Sequence, residues 1–130
     1  MKTRQEYINQ WIEIAERDLL AAQHELARED DMISEAICFH CQQAVEKFVK
    51  AYLVFFDIPF EKIHDIGELI EMCEAKDNQI SILKKEADNL TEYAVDIRYP
   101  GLYFATPTIG EAKSAFETAK KVKDYILGKI

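Results

Sequence analysis

The sequence predicts an all-α protein, an antiparallel bundle of four to five helices in up-and-down order. Three observations carry this. Apolar residues recur at helical steps in every long segment, and no period-two alternation marks a strand. Only 4 Gly and 3 Pro interrupt 130 residues, too few for an all-β fold, which needs a turn every eight to twelve residues or so. Capping signals stand where the apolar stripes begin. A hydrophobic content of 48% with 31% charged residues marks a folding chain rather than a disordered one. A chain of this length buries about two-thirds of its unfolded surface, enough for a core without disulfides. One helical domain over 1–130 is expected.

The first helix is expected from about Thr3 to Arg28, with Tyr7, Ile8, Trp11, Ile14, Ala15, Ala22 and Leu26 on one apolar face. Asp18 lies on that same face. Glu29-Asp30-Asp31 then makes a solvated turn. The second helix runs from about Ile33 to Phe56, with Ser34 as a plausible cap. Its apolar arc holds Ile37, Cys41, Ala44, Val45, Phe48, Val49, Tyr52, Phe55 and Phe56, which marks it as central. The opposite arc holds His40, Gln43, Glu46, Lys47 and Lys50. Pro59 ends it.

Asp65 with Glu68 resembles a capping box and starts a short third helix carrying Ile66, Leu69, Ile70 and Cys73. In the fourth, Ile80, Leu83, Ala87, Leu90, Ala94 and Ile97 form a continuous seam that stops near Tyr99-Pro100-Gly101. Thr108 with Glu111 is a further capping box. It launches a last helix with Ile109, Ala112, Ala115, Phe116, Ala119, Val122 and Ile126 on its stripe.

Lys+Arg total 16 against 24 Asp+Glu, a formal charge of -8. That balance disfavours gripping duplex DNA by phosphate neutralisation. The longest apolar run, Ala51 to Phe56, is far too short to span a bilayer, and no signal peptide or membrane partner is expected. Three cysteines, few and odd in number, fit a reducing cytoplasm.

Cys38-Phe39-His40-Cys41 has C-x-x-C spacing, but it falls inside a helix with no preceding strand, so two small apolar residues packed in a core are the better reading. No metal site and no cofactor are expected. Asp18 and Glu46 are read as the structural polar residues. Asp18 is a natural partner for Lys47, Lys50 or Arg98, and Glu46 with Lys50 makes an i, i+4 pair. Arg98, near a helix end, either caps carbonyls or offers its planar fork to a phosphate. His64, beside Asp65, is either a loop anchor or a general base. Gly-rich phosphate loops, G-x-S-x-G and H-E-x-x-H are all absent from the sequence.

Four stretches together resemble a HEPN domain: Trp11 to Ala22, Phe39 to Ala51, Ile63-His64-Asp65-Ile66 and Tyr93 to Gly101. The Gln-Ala-x-Glu-Lys-x-x-Lys-Ala core (Gln43 to Ala51) and the Arg98-Tyr99-Pro100 ending are the specific pieces. The resemblance implies a homodimeric bundle made alongside a small nucleotidyltransferase in a two-component, toxin-antitoxin-like module. In many such pairs the HEPN member is a ribonuclease whose motif is an Arg followed after four to six residues by a His. Here Tyr103, Phe104 and Ala105 stand where that His belongs, and the last histidine is His64.

The resemblance therefore implies a non-catalytic partner that binds a nucleotide or an RNA end. Arg98, Lys47 and Lys50 would contact phosphate, and Tyr99 and His64 a base or sugar. Two alternatives stand beside it. One is a metal-independent ribonuclease using Arg98 with His64 or Tyr103. The other is a purely structural helical interaction module.

Overall fold

The computed structural model describes residues 1–94 and 106–130. Among them are five α-helices: α1 (Arg4–Leu26), α2 (Ser34–Phe55), α3 (Ile66–Glu74), α4 (Ser81–Asp88) and α5 (Ile109–Leu127). Short 3-10 turns cover Glu29–Asp31, Asn78–Ile80 and Thr91–Ala94. No helix among the described residues is long and apolar enough to cross a membrane.

Three of the helices, α1, α3 and α5, start where a side chain satisfies free amides. Thr3 and Glu6 exchange bonds of 3.2 and 2.8 Å in a capping box on α1, and Thr108 and Glu111 do the same on α5 at 3.0 and 3.1 Å. Ser34 does not cap α2. Ile33 occupies the cap position without a side-chain bond, and the Ser34 hydroxyl instead donates to the carbonyl of Pro107 at 2.6 Å, tying the start of α2 to the approach to α5. At the other end of α2, Asp57 takes a left-handed backbone with φ of 59°. The amides of Asp57 and Ile58 return to Val54 and Leu53 at 3.0 and 2.9 Å, a Schellman closure ahead of Pro59.

Long-range pairs fix the direction of each leg. Arg4 meets Asp57, Asp18 meets Lys47, and Glu25 accepts from the amide of Ile33, so α1 and α2 are antiparallel. The chain after α2 turns back along it until His64 reaches Glu46. α3 then descends beside α2, and Asp77 beyond its end meets Tyr52. α4 returns antiparallel to α3, with Lys84 facing Glu71 and Glu74 and Asp88 facing Gly67. α5 descends again to bring Tyr125 onto Asp77.

The core forms round α2, whose Ile37, Cys38, Cys41, Val45, Phe48, Val49 and Leu53 are fully buried. Truncating Phe48 to Ala would cost about 3–5 kcal/mol. The stripe expected on α1 is rotated. Ile8, Ala15, Leu19 and Ala22 are buried, whereas Tyr7 and Ile14 are exposed, because α2 and α5 cover α1 from the Leu19 side. Phe55 is likewise exposed at the end of α2.

The long fourth helix is the main departure from the sequence reading. The seam residues Ile80, Ala87 and Leu90 are buried as expected, but α-helix stops at Asp88. The reason is in α3. Asp88 Oδ1 accepts from the amide of Gly67 at 3.0 Å and from the Thr91 hydroxyl at 3.1 Å, while Thr91 Oγ1 accepts from the amide of Ile66 at 3.1 Å. With Asp65 accepting from Glu68 at 3.1 Å, the first turn of α3 is capped by its own Asp65 and by Asp88 and Thr91 from the end of α4 and just beyond it. Ile97, the last residue of the expected seam, lies outside the described residues.

Candidate functional site

The polar arc of α2 sits between α1 and the returning segment 57–65. Its residues divide into two clusters, each built on one carboxylate. In the first, Glu46 is 5% exposed at its side chain. Its Oε2 accepts from Lys50 Nζ at 2.8 Å and contacts His64 Nδ1 at 3.1 Å, while Oε1 accepts from Gln42 Nε2 at 3.0 Å. Gln43 Nε2 donates in turn to Gln42 Oε1 at 2.7 Å. The Lys50 ammonium lies 5.6 and 5.7 Å from the ring centres of Trp11 and Phe60, which pack edge to face at 6.0 Å. Trp11 from α1 and Phe60 from the return segment therefore exclude water from a lysine that sequence spacing alone leaves on a solvated face. Lys50 and Glu46 form a buried pair, worth keeping only when every partner is in place.

In the second cluster, Asp18 reaches across from α1. Its Oδ2 accepts from Lys47 Nζ at 2.6 Å and its Oδ1 meets His40 Nδ1 at 3.0 Å. The placing of Asp18 on the apolar face of α1 is thus explained by Lys47, with His40 as a partner that periodicity did not single out. Asp18 and Glu46 do not meet each other through a shared partner; each neutralises its own lysine.

His64 is the accessible member of the first cluster, with a side chain 66% exposed against 7% for Lys50. His40 and His64 each spend Nδ1 on a carboxylate, and their Nε2 has no hydrogen bond among the described residues. A carboxylate on Nδ1 fixes which ring nitrogen faces outward and how the ring is turned. Lys50, in contrast, directs its ammonium inward and serves the cluster from below. Arg98, Tyr99 and Tyr103, the remaining expected site residues, lie outside the described residues. A separate cleft lined by Asp65, Glu86, Asp88, Glu92 and Glu111 is acidic and repels phosphate.

The cysteines are core residues. Cys38, Cys41 and Cys73 are free and fully buried. Burial pushes the Cys38 thiol up to about 11, against a lowering contact from Tyr93, and pushes Cys73 up to about 12. Cys41 is raised further by burial and by neighbouring Cys38. Such thiols are poor nucleophiles.

Fold and site together define an all-α up-and-down bundle with two carboxylate-centred clusters on its central helix. The HEPN domain model matches residues 8–130, and the chain belongs to the HEPN family. The crystal structure of an archaeal HEPN homologue aligns with it at a TM-score of 0.75 and 26% identity, covering 99% of this chain and 98% of that one. No curated protein matches.

Proposed function

We propose that this HEPN protein is a non-catalytic binder of a nucleotide or an RNA end, acting with a nucleotidyltransferase in a two-component module. The observation that carries the reading is His64. It is an exposed imidazole anchored on a buried, fully partnered Glu46, next to Lys50 and Gln42. Burying that many polar groups costs several kcal/mol of desolvation, which an apolar core would avoid. A ligand-binding role accounts for keeping them beneath an exposed imidazole. The family resemblance adds Arg98 as the phosphate fork and Tyr99 as a base or sugar contact, with Lys47 as the lysine nearer solvent. A homodimeric single domain, located in the cytoplasm, completes the proposal.

Titrating the full chain with 5′-AMP tests it. Sub-millimolar binding weakened about tenfold by Arg98→Ala and by His64→Ala is the expected result. Binding no tighter than millimolar, unchanged by Arg98→Ala, would remove the site and leave a structural interaction module.

A second reading, the metal-independent ribonuclease, is favoured by one observation: the Glu46–His64 contact orients an imidazole as a proton-transfer group requires. Incubating the protein with RNA in EDTA separates the two. Cleavage that His64→Ala abolishes selects the enzyme; intact RNA selects the binder.

A further inference from the structure

We propose that His40, held by Asp18 beside Lys47, is a second anion subsite, so that this face takes two separate phosphates of a single-stranded RNA end rather than one nucleotide phosphate. This rests on reading the Glu46–His64 face as a ligand site, and extends it to His40 and Asp18, which that reading does not use.

The two clusters share one design. In each, a single carboxylate holds a lysine ammonium and the Nδ1 of a histidine: Asp18 with Lys47 and His40, Glu46 with Lys50 and His64. In each, the histidine is the more exposed of the two basic side chains, 35% for His40 against 20% for Lys47 and 66% for His64 against 7% for Lys50. The lysine cancels the carboxylate, and the imidazole, when charged, leaves one net positive charge and an outward Nε2–H. On a chain of formal charge -8 such spots are where an anion settles.

Helical geometry sets the spacing of the clusters. At about 100° per residue, His40, Lys47, Gln43, Lys50 and Glu46 follow one another around α2 on a continuous arc. Along the axis, His40 and Glu46 are separated by about 9 Å at 1.5 Å per residue. One phosphate cannot bridge that span, and the two residues also lie about 120° apart around α2, so the clusters suit phosphates of one strand that are not immediate neighbours. Gln43, half-buried between the clusters with its amide on Gln42, lines the path. Among the described residues, Asp18 from α1 and Lys47 and Phe39 from α2 surround His40, and Glu46 and Lys50 from α2 stand by His64. Asp18 is a positioning residue here, acting through the ring it turns outward.

The test compares 5′-AMP with a short oligoadenylate on the full chain, following imidazole nitrogen resonances and affinity across a salt series. The oligonucleotide should move both His40 and His64 Nε2 signals, while 5′-AMP moves His64 alone. His40→Gln, whose amide can still reach Asp18, should weaken the oligonucleotide about tenfold and leave 5′-AMP within about twofold. Its log K against log salt slope should fall by about 0.7, one phosphate contact on a single strand. Asp18→Asn should shift the His40 ring signals in the free protein. An oligonucleotide that leaves the wild-type His40 ring unmoved overturns the subsite even if His40→Gln fails to fold. In that outcome, 5′-AMP binding through His64 leaves the proposed function standing, whereas loss of binding to both probes removes the two together.

Discussion

The amide of Gly67 donates to Asp88 Oδ1 at 3.0 Å, and a methyl group added at Gly67 would lie 2.7 Å from the same carboxylate. The carboxylate cannot simply swing aside, because it also holds Thr91, which caps Ile66. Gly67→Ala is therefore expected to destabilise the protein by about 1–3 kcal/mol through overpacking and lost capping. Urea unfolding measures it; an unchanged midpoint would show that Asp88 yields without cost.

Asp77 ties three elements together, accepting from Tyr52 at 2.7 Å and Tyr125 at 2.6 Å on one oxygen and from the amide of Gln79 at 3.1 Å on the other. Burial pushes its carboxyl up, but the bonds from Tyr125, Tyr52 and Gln79, with Lys129 nearby, outweigh burial and hold it below the usual range. A folded pKa below the unfolded value of about 3.9 stabilises the protein above that value. The stabilisation is lost as pH falls through the folded pKa, since the unfolded chain binds the proton first. Asp77→Asn should flatten the stability–pH profile below about pH 4 relative to the parent. Parallel profiles for the two proteins would place the acid sensitivity elsewhere.

Lys50 and Glu46 are both nearly buried, so removing one charge strands the other. Lys50→Met is expected to cost about 3 kcal/mol, and Glu46→Leu added to it should return part of that loss, because an apolar pair replaces the buried ion pair but leaves the buried Gln42 amide unpaired. A double-mutant cycle decides; strictly additive losses would mean that the two side chains act independently.

The three thiols should resist modification in the folded state, because burial both hides them and holds Cys38 up to about 11 and Cys73 up to about 12. Ellman's reagent at pH 8 should label none of them within minutes in buffer and all three in concentrated urea. Prompt labelling of Cys38 or Cys41 in the native protein would reopen a redox role for the C-x-x-C pair.

The HEPN assignment was legible in the Gln43 to Ala51 stretch, and the family model and the archaeal structure agree with it. The site was legible only in part. Asp18 was visible as a misplaced charge and Glu46–Lys50 as a helical pair, but His40 carried no signal beyond its place on a polar arc. Its partner lies 22 positions away, on another helix.

Periodicity along the chain determined that the protein is helical, that α2 is central, and where Thr108 and Asp65 begin their helices, because those features depend on neighbours within a turn or two. Tertiary contact alone decided that α4 ends at Asp88, that α1 buries Leu19 and leaves Ile14 in water, and that Lys50 is enclosed by Trp11 and Phe60. A repeat along one helix states which residues share a face. Whether that face meets water, a ring or a carboxylate depends on the element packed against it, and the free energy of a charge changes most across that difference.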